Sequence, residues 1–168
     1  KDGTPKVFYH GTNAEFSVFD IERAGRNWNG DSRLGKGFYF ANTEYEALRW
    51  TDGTNVIKAY LSLKNPLNVD APTPKNIAKE IDKYIDNRIA SFDESSSFIS
   101  KEQYINNLQR IKDMYMNDVS MFIDNFKYDD NGKMTDGIRE FLSSLGYDGI
   151  ISKDEVVAFY PEQIKSAT

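Results

Sequence analysis

The chain has 168 residues, with 21 Lys and Arg against 26 Asp and Glu and a formal net charge of −5. That length suits one domain with a real core, and 11 Phe, 10 Tyr and 2 Trp supply large surfaces to bury. The acidic balance argues against broad nucleic-acid binding through counterion release, and the lack of Cys excludes disulfides, thiolate catalysis and Cys-based metal sites.

A single His rules out a histidine-rich metal site, and the acidic residues form no loop with calcium-binding spacing. No apolar run approaches membrane-spanning length. The chain starts KDGTPK without a Met, as expected of a mature form or an excised domain.

In chain order, Val7–His10 reads as a short strand ending at Gly11. Residues 13–36 read as a helix-poor loop region, bounded by GRNWNGD and LGKG. Phe38–Ala41 is a second strand. Asn42 or Thr43 can cap the helix after it, whose first turn carries Glu44 and Glu46 and which should end near Asp52–Gly53. Asn55–Leu63 alternates as a third strand, and NPLNVD turns away from it. Thr73 and Pro74 start a helix with Ile77, Ile81, Ile85 and Ile89 on one face. Ser100 and Gln103 make a capping box. It opens a helical stripe through Ile105, Leu108, Ile111, Tyr115, Val119, Phe122 and Phe126, with room for one break. Tyr128–Lys133 is a polar turn. Asp136–Leu145 is a helix stopped by Gly146. Gly149–Ser152 and Glu155–Phe159 are final strands joined by a tight Lys153–Asp154 connection. The residues with chemistry lie at the two ends, and the helices of roughly 71–132 look like an insertion or lobe.

Four residues stand out. His10 lies in VFYHGT, Tyr39 in GKGFYFA, Trp50 eleven residues later, and Glu155 in DEVVAF. Two large rings, an imidazole and a carboxylate suit a cleft for a flat cationic ring beside a ribose. Each also has a plainer reading: a satisfied core histidine, two core aromatics, a solvated strand-edge glutamate.

FYHGT, GKGFYFA and DEVVAFYPEQIKS, taken together, resemble the ADP-ribosyltransferase superfamily. The likeness is closest to its His–Tyr–Glu branch, which includes diphtheria toxin and the poly-ADP-ribose polymerases. AYLSLKNPLNVD and FLSSLGYDGIIS are similar to segments of small bacterial and phage members found in polyvalent proteins. The resemblance covers residues 5–70 and 134–168, not the middle. It implies an α+β fold with a split, bent β-sheet core and a helical insertion, counted as one domain over 1–168. The lack of a GxGxxG strand–helix junction agrees with that fold.

The resemblance also implies NAD⁺ as donor substrate and no metal. His10 would hydrogen-bond the adenosine-side ribose. Gly11 would hold the nicotinamide carboxamide through its main chain, and Thr12 would brace the strand. Tyr39 and Trp50 would clamp the nicotinamide. Glu155 would be the catalytic carboxylate, with His10 and Tyr39 completing the catalytic set. Ala47 stands where polymerase relatives carry a carboxamide-binding serine. Among Arg26, Arg33 and Lys36, Arg26 is the chosen candidate for the pyrophosphate. Lys153 stands where arginine-modifying relatives carry Gln or Glu, which argues against an arginine acceptor.

The expected activity is mono-ADP-ribosyl transfer to a protein or nucleic-acid acceptor. NAD⁺ glycohydrolysis and a non-catalytic NAD-binding module are the alternatives. An immunity protein or adjacent domains of a larger polypeptide are candidate partners, through Tyr104, Tyr115 or Phe122 if those aromatics are exposed. The helical stripe itself reads more simply as one buried face. The localisation is left open by the sequence; activity is expected in an NAD-containing cytoplasm, with secretion or delivery as a route to it, and no membrane association is expected.

Overall fold

The computed structural model describes residues 5–16, 18–23, 33–51, 55–127 and 134–167. The fold is α+β. Seven strands form one open mixed sheet: β1 (Val7–Thr12), β2 (Phe38–Ala41), β3 (Asn55–Leu61), β4 (Leu67–Asn68), β5 (Gly149–Ile151), β6 (Glu155–Ala158) and β7 (Ile164–Ser166). Their order across the sheet is β4-β5-β6-β2-β1-β3-β7. The pair β4–β5 is parallel, and the other neighbours are antiparallel.

The sheet parts between β1 and β2. These neighbours share the single register pair Tyr9–Ala41, against six pairs between β1 and β3 and four between β2 and β6. The result is the split that the resemblance implied. One half is β4-β5-β6-β2, and the other is β1-β3-β7.

The chain forms two compact units. The first is Lys1–Asp70 with Ile123–Thr168, and the second is Ala71–Phe122. In the first, Phe38, Phe40, Ala59 and Ala158 form a buried cluster on one sheet face, with Phe8, Phe19, Ile21, Leu61, Leu63 and Ile164 packed against it. Full burial of each large side chain contributes about 1.5–3 kcal/mol. Helix α1 (Glu44–Arg49) is started by Thr43, whose hydroxyl oxygen accepts from the Glu46 N–H at 3.2 Å. It ends at Trp50, short of the Asp52–Gly53 end expected from sequence, a pair outside the described residues. The α5 helix (Gly137–Ser144) closes with two capping bonds, from Tyr147 N–H to the Leu142 carbonyl and from Gly146 N–H to the Ser143 carbonyl, both at 3.0 Å. Gly146 takes φ +87° there, a left-handed conformation that costs glycine little.

The second unit holds α2 (Lys75–Ala90), α3 (Lys101–Asn117) and the start of α4 (Val119–Phe126). Ser100 and Gln103 make the reciprocal capping box. Ile77, Ile81 and Ile85 are buried, as are Leu108, Tyr115, Val119 and Phe122. The long stripe breaks once, at Asp118 between α3 and α4. Tyr115 meets Phe122 edge to face at 5.5 Å, and Tyr104 stacks on Phe92 at 4.1 Å. These aromatics are committed to packing. The expected polar turn Tyr128–Lys133 lies outside the described residues.

Two strands depart from the sequence reading. NPLNVD does turn, but Leu67–Asn68 pairs in parallel with β5, and Leu67 is buried beside it. Ile164–Ser166 adds β7 to the free edge of β3. Among the described residues, no helix is long and apolar enough to cross a membrane.

Candidate functional site

All of the described candidate residues lie in the first unit. His10 is in β1, beside the split. Its Nδ1 lies 2.7 Å from the main-chain oxygen of Tyr39. A carbonyl can only accept, so Nδ1 carries the proton and a neutral ring presents Nε2 as an acceptor. The ring packs among Phe19 at 5.2 Å, Phe40 at 5.4 Å and Phe16 at 6.1 Å. Burial holds its pKa below the ordinary 6.5, and the bond to the Tyr39 carbonyl opposes this to a smaller extent. His10 is thus on the Phe40 side of the sheet, and it reaches Tyr39 through that residue's main chain.

Tyr39 lies on the other face of β2 from Phe38 and Phe40, as strand alternation requires. It sits opposite Val157, and Glu155 sits opposite Ala41. Tyr39 and Glu155 are therefore diagonal neighbours on one face, about 7–8 Å apart in such a ladder. Tyr39 is only 7% exposed. Its hydroxyl donates to the Gly35 carbonyl at 2.6 Å and accepts from the Leu34 N–H at 3.1 Å. The same turn begins with Arg33, whose Nη2 lies 3.7 Å from Oε1 of Glu155. The Glu155 side chain is 14% exposed, so the pair is partly shielded on the glutamate side.

Gly11 has a packing reason to lack a side chain. A Cβ there would lie 2.1 Å from the Ala47 carbonyl oxygen and 2.7 Å from Thr51 Cγ2. Helix α1 therefore rests directly on β1, and the buried Ala47 fills the contact. Trp50 ends that helix and leaves 43% of its surface exposed. Thr12 closes β1: its hydroxyl oxygen accepts from the Ala14 N–H at 3.1 Å. Glu162 is exposed in a turn after β6.

Of the three loop cations, Arg26 lies outside the described residues. Lys36 pairs with Asp136 at 3.2 Å, and Arg33 is the one that meets Glu155. The sequence ranked Arg26 above Arg33, since charge alone does not separate two loop arginines. Its distinguishing signal was adjacency to the Leu34–Gly35 turn that Tyr39 holds. Asn42 and Asp70 hydrogen-bond the main chain of Lys153, two residues before Glu155, contacts that the sequence did not signal. Among the described residues, no group of three or more His, Asp or Glu is arranged to hold a metal ion.

Over residues 1–168 the chain matches the family described as ADP-ribosyltransferase in polyvalent proteins. The chain belongs to that family. Searches of curated proteins and of solved structures gave no significant match. Membership in this ADP-ribosyltransferase family supports enzymatic activity of the same general class and the use of NAD⁺. It also agrees with the split α+β sheet.

Proposed function

We propose that the chain is a mono-ADP-ribosyltransferase, cleaving NAD⁺ between nicotinamide and ribose and passing ADP-ribose to a macromolecular nucleophile. The observation that carries this reading is the place of Glu155. It starts β6 opposite Ala41, diagonal to Tyr39, and β2 itself borders the split. A carboxylate there can accept a hydrogen bond from the ribose 2′-hydroxyl and stabilise positive charge as the glycosidic bond lengthens. Neutral nicotinamide leaves, and an acceptor attacks the open face of the sugar. Glu155 can then orient or deprotonate that acceptor. In this reading Trp50 offers the exposed ring for the pyridinium and Tyr39, whose hydroxyl holds the Arg33 turn, is the second ring of the clamp, while His10 takes the adenosine-side ribose and its bond to the Tyr39 carbonyl ties the two halves of the sheet together. Gly11 supplies main-chain groups to the carboxamide while its open side accommodates α1.

The test is nicotinamide release by wild type and Glu155→Gln. The variant should bind NAD⁺ within a few-fold of wild type and release nicotinamide at least about 100-fold more slowly. Equal release rates would remove Glu155 from the chemistry. Labelled NAD⁺ with cell lysate then reads the acceptor. Label on a macromolecule means transfer, whereas free ADP-ribose alone means that water is the acceptor.

A further inference from the structure

The turn before Glu155 is gripped from both sides. Lys153 and Asp154 connect β5 to β6, and this dipeptide is a poor choice for a two-residue hairpin. Primed turns need positive φ, which Gly, Asn and Asp favour. No non-glycine residue described takes a positive φ. The turn is therefore not of the primed kind that best fits a two-residue hairpin.

The hydrogen bonds identify what holds it. Every main-chain N–H from Ser152 to Glu155 has a partner. Ser152 N–H donates to the Glu155 carbonyl at 2.9 Å. Those of Asp154 and Glu155 donate to Ser152 Oγ at 3.3 and 3.1 Å. The Lys153 N–H donates to Asp70 Oδ2 at 2.5 Å, and the Lys153 carbonyl accepts from Asn42 Nδ2 at 3.0 Å. Asp70 follows β4, which lies beside β5. Asn42 follows Ala41, the partner of Glu155 in β2, which lies beside β6. The β5–β6 hairpin is thus clamped at its tip by one side chain from each flanking strand.

We propose that Asn42 and Asp70 are positioning residues for Glu155, fixing the register that points its carboxylate to the Tyr39 face. A strand's side chains alternate, so a slip of one residue would turn Glu155 to the opposite face and put its neighbour in its place. Two consecutive peptide groups held from opposite sides prevent that slip. This inference rests on the proposed role of Glu155.

The experiment compares Asp70→Ala, Asn42→Ala and Asp70→Asn with wild type. It measures nicotinamide release at varied NAD⁺, NAD⁺ binding by calorimetry, and hydrogen exchange at the Lys153 and Glu155 amides. Asp70→Ala and Asn42→Ala should lower kcat about 10- to 100-fold while KM and NAD⁺ affinity stay within about threefold. Asp70→Asn keeps an acceptor oxygen and should recover most of the rate. Amide exchange should speed up in Asp70→Ala and return toward wild type in Asp70→Asn. If wild type releases nicotinamide and the two alanine variants match it, the inference is overturned while the proposed function stands. It is overturned as well if NAD⁺ affinity collapses together with kcat, or if Asp70→Asn is as slow as Asp70→Ala. A wild-type chain that releases no nicotinamide overturns the proposed function, and the catalytic meaning of the clamp falls with it.

Discussion

The His10 imidazole donates its Nδ1 proton to the Tyr39 carbonyl at 2.7 Å, across the place where β1 and β2 separate. A strand carbonyl beside a split has fewer main-chain donors within reach, and this side chain supplies one. The bond needs a proton on Nδ1 in either charge state. The neutral form is favoured because the ring is buried among phenylalanines.

That burial has a direct consequence for stability against pH. The folded pKa of His10 lies below its ordinary value of 6.5. As pH falls through 6.5, the unfolded chain takes up a proton that the folded chain resists. Stability from this group is therefore fully present above the unfolded pKa and lost as pH falls toward the folded one. We expect the thermal midpoint of wild type to drop between about pH 7.5 and 5.5, and that of His10→Gln to drop less over the same range. Thermal unfolding at stepped pH checks this. Parallel curves for the two proteins would show that His10 does not titrate as its surroundings require.

Arg33 lies 3.7 Å from Glu155, but 56% of its side chain is exposed. Such a pair is screened by solvent and salt. We expect Arg33→Ala to lower kcat/KM for NAD⁺ by about 3- to 10-fold at low ionic strength, and by less at high salt. Arg33→Lys should fall between the two. Initial rates at two salt concentrations measure this. A loss that does not change with salt would mean that Arg33 acts through packing instead of charge.

The facing of the residues in β2 could be read from the sequence because the strand alternates cleanly. FYFA places Phe38 and Phe40 on one face and Tyr39 on the other, and the register against β6 bears this out. Thr43, Ser100 and Gly146 announced their capping roles because such bonds are made within a few residues. The parts that were not legible depend on distant partners. Leu67–Asn68 is too short to show a strand period, and its pairing depends on Ile150 and Ile151. Asn42 and Asp70 look like ordinary loop residues until the fold brings Lys153 between them. The reason for Gly11 was likewise hidden, since a helix that begins 33 residues later occupies its open side.

Gly11 gives the sharpest structural prediction. A methyl group placed 2.1 Å from the Ala47 carbonyl oxygen cannot be accommodated without moving α1 or β1. Both belong to the framework around the split. We expect Gly11→Ala to lower stability by about 1–3 kcal/mol through overpacking. The effect should appear in thermal or urea unfolding without any ligand. An unchanged midpoint would mean that the helix is not seated on β1 as the contact demands.

Trp50 separates packing from ligand contact. At 43% exposed it contributes less to the core than the buried Phe40, so Trp50→Ala should leave most of the stability intact. If its ring faces the pyridinium of NAD⁺, the same substitution should weaken binding by about 0.5–2 kcal/mol, roughly 2- to 30-fold. Trp50→Tyr keeps a π face and should lose less. Titration is best done in the Glu155→Gln background, where NAD⁺ survives the measurement. A competing titration with nicotinamide-free ADP-ribose adds the decisive contrast, because that ligand carries no cationic ring. Trp50→Ala should weaken NAD⁺ more than ADP-ribose. Equal losses for the two ligands would place Trp50 away from the nicotinamide and leave it a surface aromatic at the end of α1.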